Sequence, residues 1–186
     1  PISIRYIQAQ SEHAQELLDF ISSHFNSPTL CGLLLGKAAR AREKGVELSF
    51  DPACHIDRPL PSLMESELIS IIGNLLDNAI EATQRAELPH EPVEILIQLN
   101  ARELMIEVAD RGVGIRPEIR EHIFERGVTT KTRGDHGIGL YLIERYVTQA
   151  GGTIEVADNA PRGAIFTLFI PASGPAHPQE ETHYAS

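Results

Sequence analysis

The sequence predicts an α/β chain of the α+β two-layer sandwich type, a mixed and mostly antiparallel sheet covered on one face by helices, with a helical appendage in front. Three observations carry that expectation. Helical periodicity dominates the first 45 or so residues. Two alternating apolar runs, Val93 to Leu99 and Leu104 to Val108, are separated by little more than Asn100-Ala101-Arg102, which reads as the turn of a hairpin. A further helical stripe is followed directly by two short strands. Helices first, then interleaved strands and helices with a long hairpin, favour a two-layer sandwich over a doubly wound parallel sheet.

Taken in order, Ile7, Ala14, Leu17, Leu18, Ile21 and Phe25 fall at near-heptad spacing and form one stripe of a helix that needs a partner. Ser27-Pro28 supplies an N-cap and a first-turn proline for a second helix with Leu30, Leu33, Leu34, Ala38 and Ala41, expected to stop at Gly45. Val46 to Phe50 alternates as a strand does, and Asp57 to Pro61 is a proline-marked connection. From Ser66 to about Arg85, Leu68, Ile71, Ile72, Leu75, Leu76, Ala79 and Ile80 make a broad apolar face, while Asn74, Asp77, Asn78 and Glu81 share the other side. Asp110 stands where the second hairpin strand ends. Pro117 to Phe124 reads as a short helix and Gly127 to Gly137 as a polar loop. Leu140, Ile143 and Val147 stripe a helix ending near Gly151-Gly152, and Thr153 to Val156 and Ala164 to Ile170 close the sheet. The expected division is 1–26 for the helical appendage, 27–171 for one globular domain, and 172–186 for a disordered tail too poor in apolar residues to fold.

Composition narrows the function. With 26 acidic against 16 basic residues and a formal net charge of -10, a nucleic-acid surface is disfavoured, because a phosphate backbone is held by clustered Lys and Arg. Cys31 and Cys54 fit no CxxC pattern and read as ordinary reduced thiols. No apolar stretch approaches the ~20 residues of a membrane-spanning helix. The chain starts at Pro1 rather than Met, which suggests a piece of a larger protein.

Three short segments carry chemistry. Asn74 and Asn78, four apart on one helix face, present carboxamide oxygens of the kind Mg²⁺ accepts beside phosphate oxygens and water; on the helix alone they could equally be solvated surface residues. In Asp110-Arg111-Gly112-Val113-Gly114 the carboxylate can accept a hydrogen bond from the amino group of adenine and would repel guanine. Its glycines would let the backbone pass close to the ring at unusual φ, although the same residues also make a plain turn. Gly137-Ile138-Gly139-Leu140 would expose backbone N–H groups at a helix start, where anions are attracted, with the preceding loop as a lid carrying Thr130 and the mobile charge of Lys131. Residue 130 is Thr where a P-loop needs Gly, and neither glycine pair is completed to a dinucleotide fingerprint, so both of those motifs are rejected.

In this order and spacing the three segments resemble the N, G1 and G2 boxes of the ATP-binding fold shared by sensor histidine kinases, Hsp90-like chaperones, type II topoisomerases and mismatch-repair ATPases. The run Gly73 to Ala82, the lead-in Leu33 to Leu48 and Gly127-Val128-Thr129-Thr130-Lys131 are similar, more narrowly, to histidine kinases of the citrate and C4-dicarboxylate-sensing class, and Phe124 in Ile-Phe-Glu-Arg-Gly matches their F box. The resemblance covers roughly residues 5 to 171. It implies an ATP-binding catalytic domain with ATP and Mg²⁺ as cofactors and Asn78 as the metal ligand. Asn74 and Lys131 would act at the transferring phosphoryl, and Asp110, Gly112, Gly114, Phe124, Thr130, Lys131, Gly137 and Gly139 would hold the nucleotide.

The same resemblance implies that residues 1–26 are the remnant of a second dimerisation helix and that this is the cytoplasmic domain of a bacterial inner-membrane protein. The partners it implies are the parent's dimerisation and phosphoacceptor helices and a response regulator. The parent is expected to be a homodimer and this piece a monomer. The phosphoacceptor histidine is expected to be missing, since His13 follows an acid rather than preceding one. The alternatives are a self-contained ATPase of the chaperone or topoisomerase branch, an anti-sigma-type serine kinase, and a nucleotide-responsive interaction module. The first two carry an acid where Asn74 stands, which counts against efficient hydrolysis here.

Overall fold

A computed structural model describes residues 2–87, 91–128 and 138–173, with side chains described from residue 12. In the first helix, α1 (Ile2–His24), the side chains described from residue 12 on reach the core near the C-terminal end. Ile21 and Phe25 are buried and Leu17 is half-buried, whereas Ala14 and Leu18 of the same predicted stripe are exposed. Helix α2 (Pro28–Glu43) begins as the sequence predicts: the Leu30 N–H donates to Ser27 Oγ at 3.1 Å, and Pro28 fills a first-turn position that needs no donor.

Strand β1 is shorter than predicted, Leu48–Phe50 rather than Val46 to Phe50. The reason lies in the helix end, because the Val46 N–H donates to Ala41 O at 2.9 Å and so belongs to the cap of α2. Helix α3 (Glu65–Gln84) starts one residue before its predicted position. Glu67 reaches back to accept the Met64 N–H at 2.9 Å, and both Glu65 and Glu67 lie in the first turn, where the helix dipole favours negative charge. The hairpin of β2 (Val93–Leu99) and β3 (Glu103–Ala109) turns on Asn100, whose Oδ1 accepts from the N–H groups of Arg102 and Glu103 at 2.7 and 3.0 Å. Pro117–His122 is a 3-10 turn rather than an α-helix reaching Phe124. Helix α4 (Gly139–Gln149) then leads to β4 (Thr153–Asp158) and β5 (Ala164–Pro171). Ala172, assigned from sequence to the tail, packs on the core and donates its N–H to Arg102 O at 2.8 Å; residues from 174 on lie outside the described residues.

The sheet order is β1-β2-β3-β5-β4, with β1 parallel to β2 and every other pair antiparallel. Alternation puts Val93, Ile95, Ile97, Leu99, Leu104, Ile106, Val108, Phe166, Leu168 and Ile170 on one buried face, where α3 and α4 cover them through Ile71, Ile72, Leu75, Leu76, Ile143 and Val147. Truncating any one of the fully buried leucines here to Ala costs about 2–5 kcal/mol. One feature of the topology matters for the site. Strand β5 inserts between β3 and β4, so Ala164 and the hairpin before it lie beside the end of β3, where the chain passes into Asp110.

Candidate nucleotide-binding site

A cavity of about 150 Å³ opens between α3, the segment after β3, the 3-10 turn, the start of α4 and the first residues of β5. Helix α3 contributes Asn74, Asn78, Glu81 and Ala82, and its C-cap Arg85, to one side, an arrangement set by the helical repeat once Ile71, Ile72, Leu75 and Leu76 have claimed the core side. Ile115, Ile119, Ile123, Val128, Ile138 and Phe166 supply apolar wall, enough to flank a planar ring.

At the bottom of this cavity stands Asp110, 3% exposed. Its backbone N–H donates to Ala164 O at 2.9 Å, and its Oδ1 accepts the Gly112 N–H at 2.8 Å. Burial pushes its carboxyl up to about 6, against the pull of the backbone hydrogen bonds from Gly112 and Ala164. A carboxylate that faces a cavity with few donors of its own is ready to accept one from a ligand.

The two glycines after Asp110 have different reasons. Gly114, which lines the cavity, has φ +70, the left-handed region that favours glycine. Gly112 does not have the unusual φ expected of it. It is needed for close approach instead: a Cβ there would lie 2.3 Å from the carbonyl carbon of Ala82 and 2.6 Å from Thr83 N, so the loop docks backbone to backbone on the last turn of α3. The Val113 N–H completes that docking by donating to Ala82 O at 3.2 Å. From the other side the β4–β5 hairpin holds the Asp110 peptide, with Asn159 Nδ2 donating to Asp110 O at 2.9 Å and a Cβ on Gly163 falling 1.9 Å from the same oxygen. Asn159 and Gly163 were not singled out by sequence, and only the topology brings them to Asp110.

At the opposite end, the carboxamide of Asn74 is oriented by its own helix. Nδ2 donates to Ser70 O at 2.8 Å, while Oδ1 would be 2.7 Å from a Cβ on Gly139, so the start of α4 comes up against Asn74 because residue 139 has no side chain. Asn78, one turn on and half-buried, faces the same cavity. Among the residues predicted from sequence, the cavity thus brings together Asn74, Asn78, Asp110, Gly114 and Gly139, with Gly112 directly behind. Phe124 packs half-buried against the core beside Ile123, and it is Ile119 and Ile123 of this segment that line the cavity. Thr130, Lys131 and Gly137 lie outside the described residues. Glu81 and Arg85, also on the wall, were not picked as site residues, although a spacing of seven and eleven from Asn74 puts both on its helix face.

A neutral amide oxygen such as that of Asn78 suits Mg²⁺ held mainly by phosphate and water, and among the described residues no group of three or more His, Cys, Asp or Glu side chains competes as a metal cage. No helix of the described residues is long and apolar enough to cross a membrane.

A sandwich with a buried carboxylate at one end of its cavity and stacked carboxamides beside a helix start at the other defines a nucleotide-binding domain. Residues 64–174 match the family described as histidine kinase-, DNA gyrase B- and HSP90-like ATPase, and the chain belongs to it. It is 50% identical over 94% of its length to the sensor histidine kinase CitA of Klebsiella pneumoniae and 41% identical over 91% to the sensor histidine kinase DpiB of Escherichia coli K12, spanning 32% and 31% of those proteins. Among solved structures, full-length ShkA in complex with AMPPNP aligns over 81% of this chain and 30% of its own with a TM-score of 0.60 at 28% identity.

Proposed function

We propose that this chain is the catalytic domain of a two-component sensor histidine kinase, binding Mg-ATP and presenting its γ-phosphate to a histidine on a separate helical segment. The observation that carries the reading is the division of the cavity into two chemically distinct ends, Asp110 for the amino group of adenine and Asn74 with Asn78 for the phosphates and their metal. The names of the relatives and their degree of identity point the same way.

The chemistry asked of the protein is positioning and charge neutralisation, which is how phosphoryl transfer is accelerated in general. Asp110 orients the base by accepting its amino N–H, and Ile115, Ile123 and Phe166 flank the ring and exclude water. Asn78 would hold Mg²⁺, which when bound neutralises phosphate charge. Asn74 keeps its Nδ2 on Ser70 O and turns Oδ1 to the start of α4. A carboxamide takes no proton from water at neutral pH, so Asn74 does not serve as the base of a hydrolase. That argues for transfer to a protein acceptor over simple ATP hydrolysis. Gly112, Gly114, Gly139, Gly137, Thr130 and Lys131 complete the assignment as nucleotide contacts, the last two with Gly137 on the strength of sequence alone.

The partners in this reading are the dimerisation and phosphoacceptor helices of the parent kinase and its response regulator, at the cytoplasmic side of a membrane. The test is label transfer. With γ-labelled ATP and a separately supplied helical hairpin bearing the acceptor histidine, acid-labile label is expected on the hairpin and none on the isolated chain; stable label on this chain, or release of phosphate with no labelled hairpin, would overturn the reading.

A further inference from the structure

Around its circumference helix α3 meets the sheet, α4, the cavity and α2. The sheet side is apolar and the cavity side is open. Burial of Ile71, Ile72, Leu75 and Leu76 sets the rotation of α3 coarsely, and a contact with a preferred direction sets it more finely, because apolar contacts themselves have none. Rotation matters here, since Asn74 and Asn78 face the cavity only at one setting.

On the α2 side a directional contact is present. Lys37 Nζ donates to both Asp77 Oδ1 and Asp77 Oδ2, each at 2.7 Å, with the lysine side chain only 15% exposed. Its stem lies along α3 over Gly73, where a Cβ would stand 3.9 Å from Lys37 Cε and 3.7 Å from Leu33 Cδ1. Leu34 and Ala38, on either side of Lys37 in α2, are buried, so the root of the lysine is fixed. Asp77 is adjacent to Asn78 and three residues after Asn74. It lies on the shoulder of α3 between its cavity and α2 sides, and Asp77 itself does not line the cavity.

We propose that the Lys37–Asp77 ion pair is a positioning device for the nucleotide site, locking the rotation of α3 so that Asn74 and Asn78 are aimed at the phosphates and their metal. The inference rests on the nucleotide reading above. It adds a role for two residues that touch no ligand, and it separates the two ends of the cavity. The adenine end, built on Asp110 at the end of β3, is held by Asn159 and by backbone contacts of the Gly112 loop with Ala82 and Thr83 near the C-terminus of α3. Asn74 and Asn78 lie on the turns of α3 that carry Asp77, so a loosened ion pair acts first on the phosphate end.

The experiment compares Lys37→Met, Asp77→Leu, the conservative Lys37→Arg and the reversed pair Lys37→Asp with Asp77→Lys. For each, ATP affinity is measured with and without Mg²⁺, beside its thermal midpoint. Either single disruption is expected to cut the gain in affinity that Mg²⁺ confers on the order of tenfold, leaving Mg²⁺-free affinity near that of the parent chain; Lys37→Arg and the reversed pair are expected to recover most of the gain. A full Mg²⁺ gain in Lys37→Met and Asp77→Leu, whatever their midpoints, overturns the proposal, as does a reversed pair no better than the single variants. Should a disrupted variant not fold, the comparison of Lys37→Arg with the reversed pair decides by the same readout. Failure of the unaltered chain to bind ATP with or without Mg²⁺ is a separate result, and it strikes the nucleotide reading itself.

Discussion

Asp110→Asn is expected to stabilise the ligand-free protein while weakening its affinity for ATP. The carboxyl is 3% exposed, and burial raises it from 3.8 to about 6. A carboxyl whose folded value lies above its unfolded value binds more protons in the native state between the two. Its contribution is therefore favourable below pH 4 and is lost as pH rises through about 6. Above that pH the ionised group opposes folding by about 3 kcal/mol, an upper figure from the interval between 3.8 and about 6 at 1.36 kcal/mol per pH unit. Asparagine is nearly isosteric, its Oδ1 can still accept the Gly112 N–H now held at 2.8 Å, and it carries no charge to desolvate. Urea unfolding of both proteins at pH 8 should show the variant more stable by about 1–3 kcal/mol, the gap closing toward pH 4. The same variant should lose ATP affinity, because an amide nitrogen turned to the adenine amino group sets donor against donor. For the unaltered protein, ATP affinity should fall as pH drops below 6. Equal stability at pH 8 and pH 4, or undiminished ATP affinity in the variant, would refute the reasoning.

Asn78→Ala removes the cavity's candidate metal-facing oxygen without touching the adenine end. Most of the Mg²⁺ dependence of ATP binding should disappear in a titration, with Mg²⁺-free affinity little changed. Gly163→Ala places a Cβ 1.9 Å from Asp110 O at φ +108, so the Asp110 carbonyl must retreat by about 1.5 Å to restore an ordinary contact of 3.4 Å. Displacement of that size is worth up to about 100-fold at a positioned group, and backbone strain adds about 1–3 kcal/mol, so both ATP affinity and the thermal midpoint should drop. A midpoint that falls with ATP affinity intact would detach the β4–β5 hairpin from the site.

The parts of the fold written in local periodicity were the parts legible in sequence. Ser27-Pro28 announces α2, and Asn100 announces the β2–β3 turn through a hydrogen-bonding pattern that needs only the four residues from Asn100 to Glu103. The four-residue spacing of Asn74 and Asn78 puts them on one wall because a helix has one period. What sequence could not give was long-range. The insertion of β5 between β3 and β4 brings Asn159 and Gly163 to Asp110 across some fifty positions of chain, and no local pattern encodes that. Gly112 was picked for the wrong reason: its place against Ala82 depends on how the loop meets α3, not on its own φ. The F-box resemblance points to Phe124, while in the structure Ile119 and Ile123 line the cavity and Phe124, half-buried against the core, stands next to them in the chain. Likewise the α1 stripe looks uniform as a pattern, yet Leu18 at 40% exposure has nothing within the described residues to cover it.

The most direct test of the central claim is a calorimetric titration of this chain with ATP and with GTP, each with and without Mg²⁺. The account predicts ATP binding strengthened by Mg²⁺ and little response to GTP, since Asp110 accepts from the adenine amino group and repels the guanine carbonyl in the same position. Equal binding of the two nucleotides, or binding of neither, would contradict it.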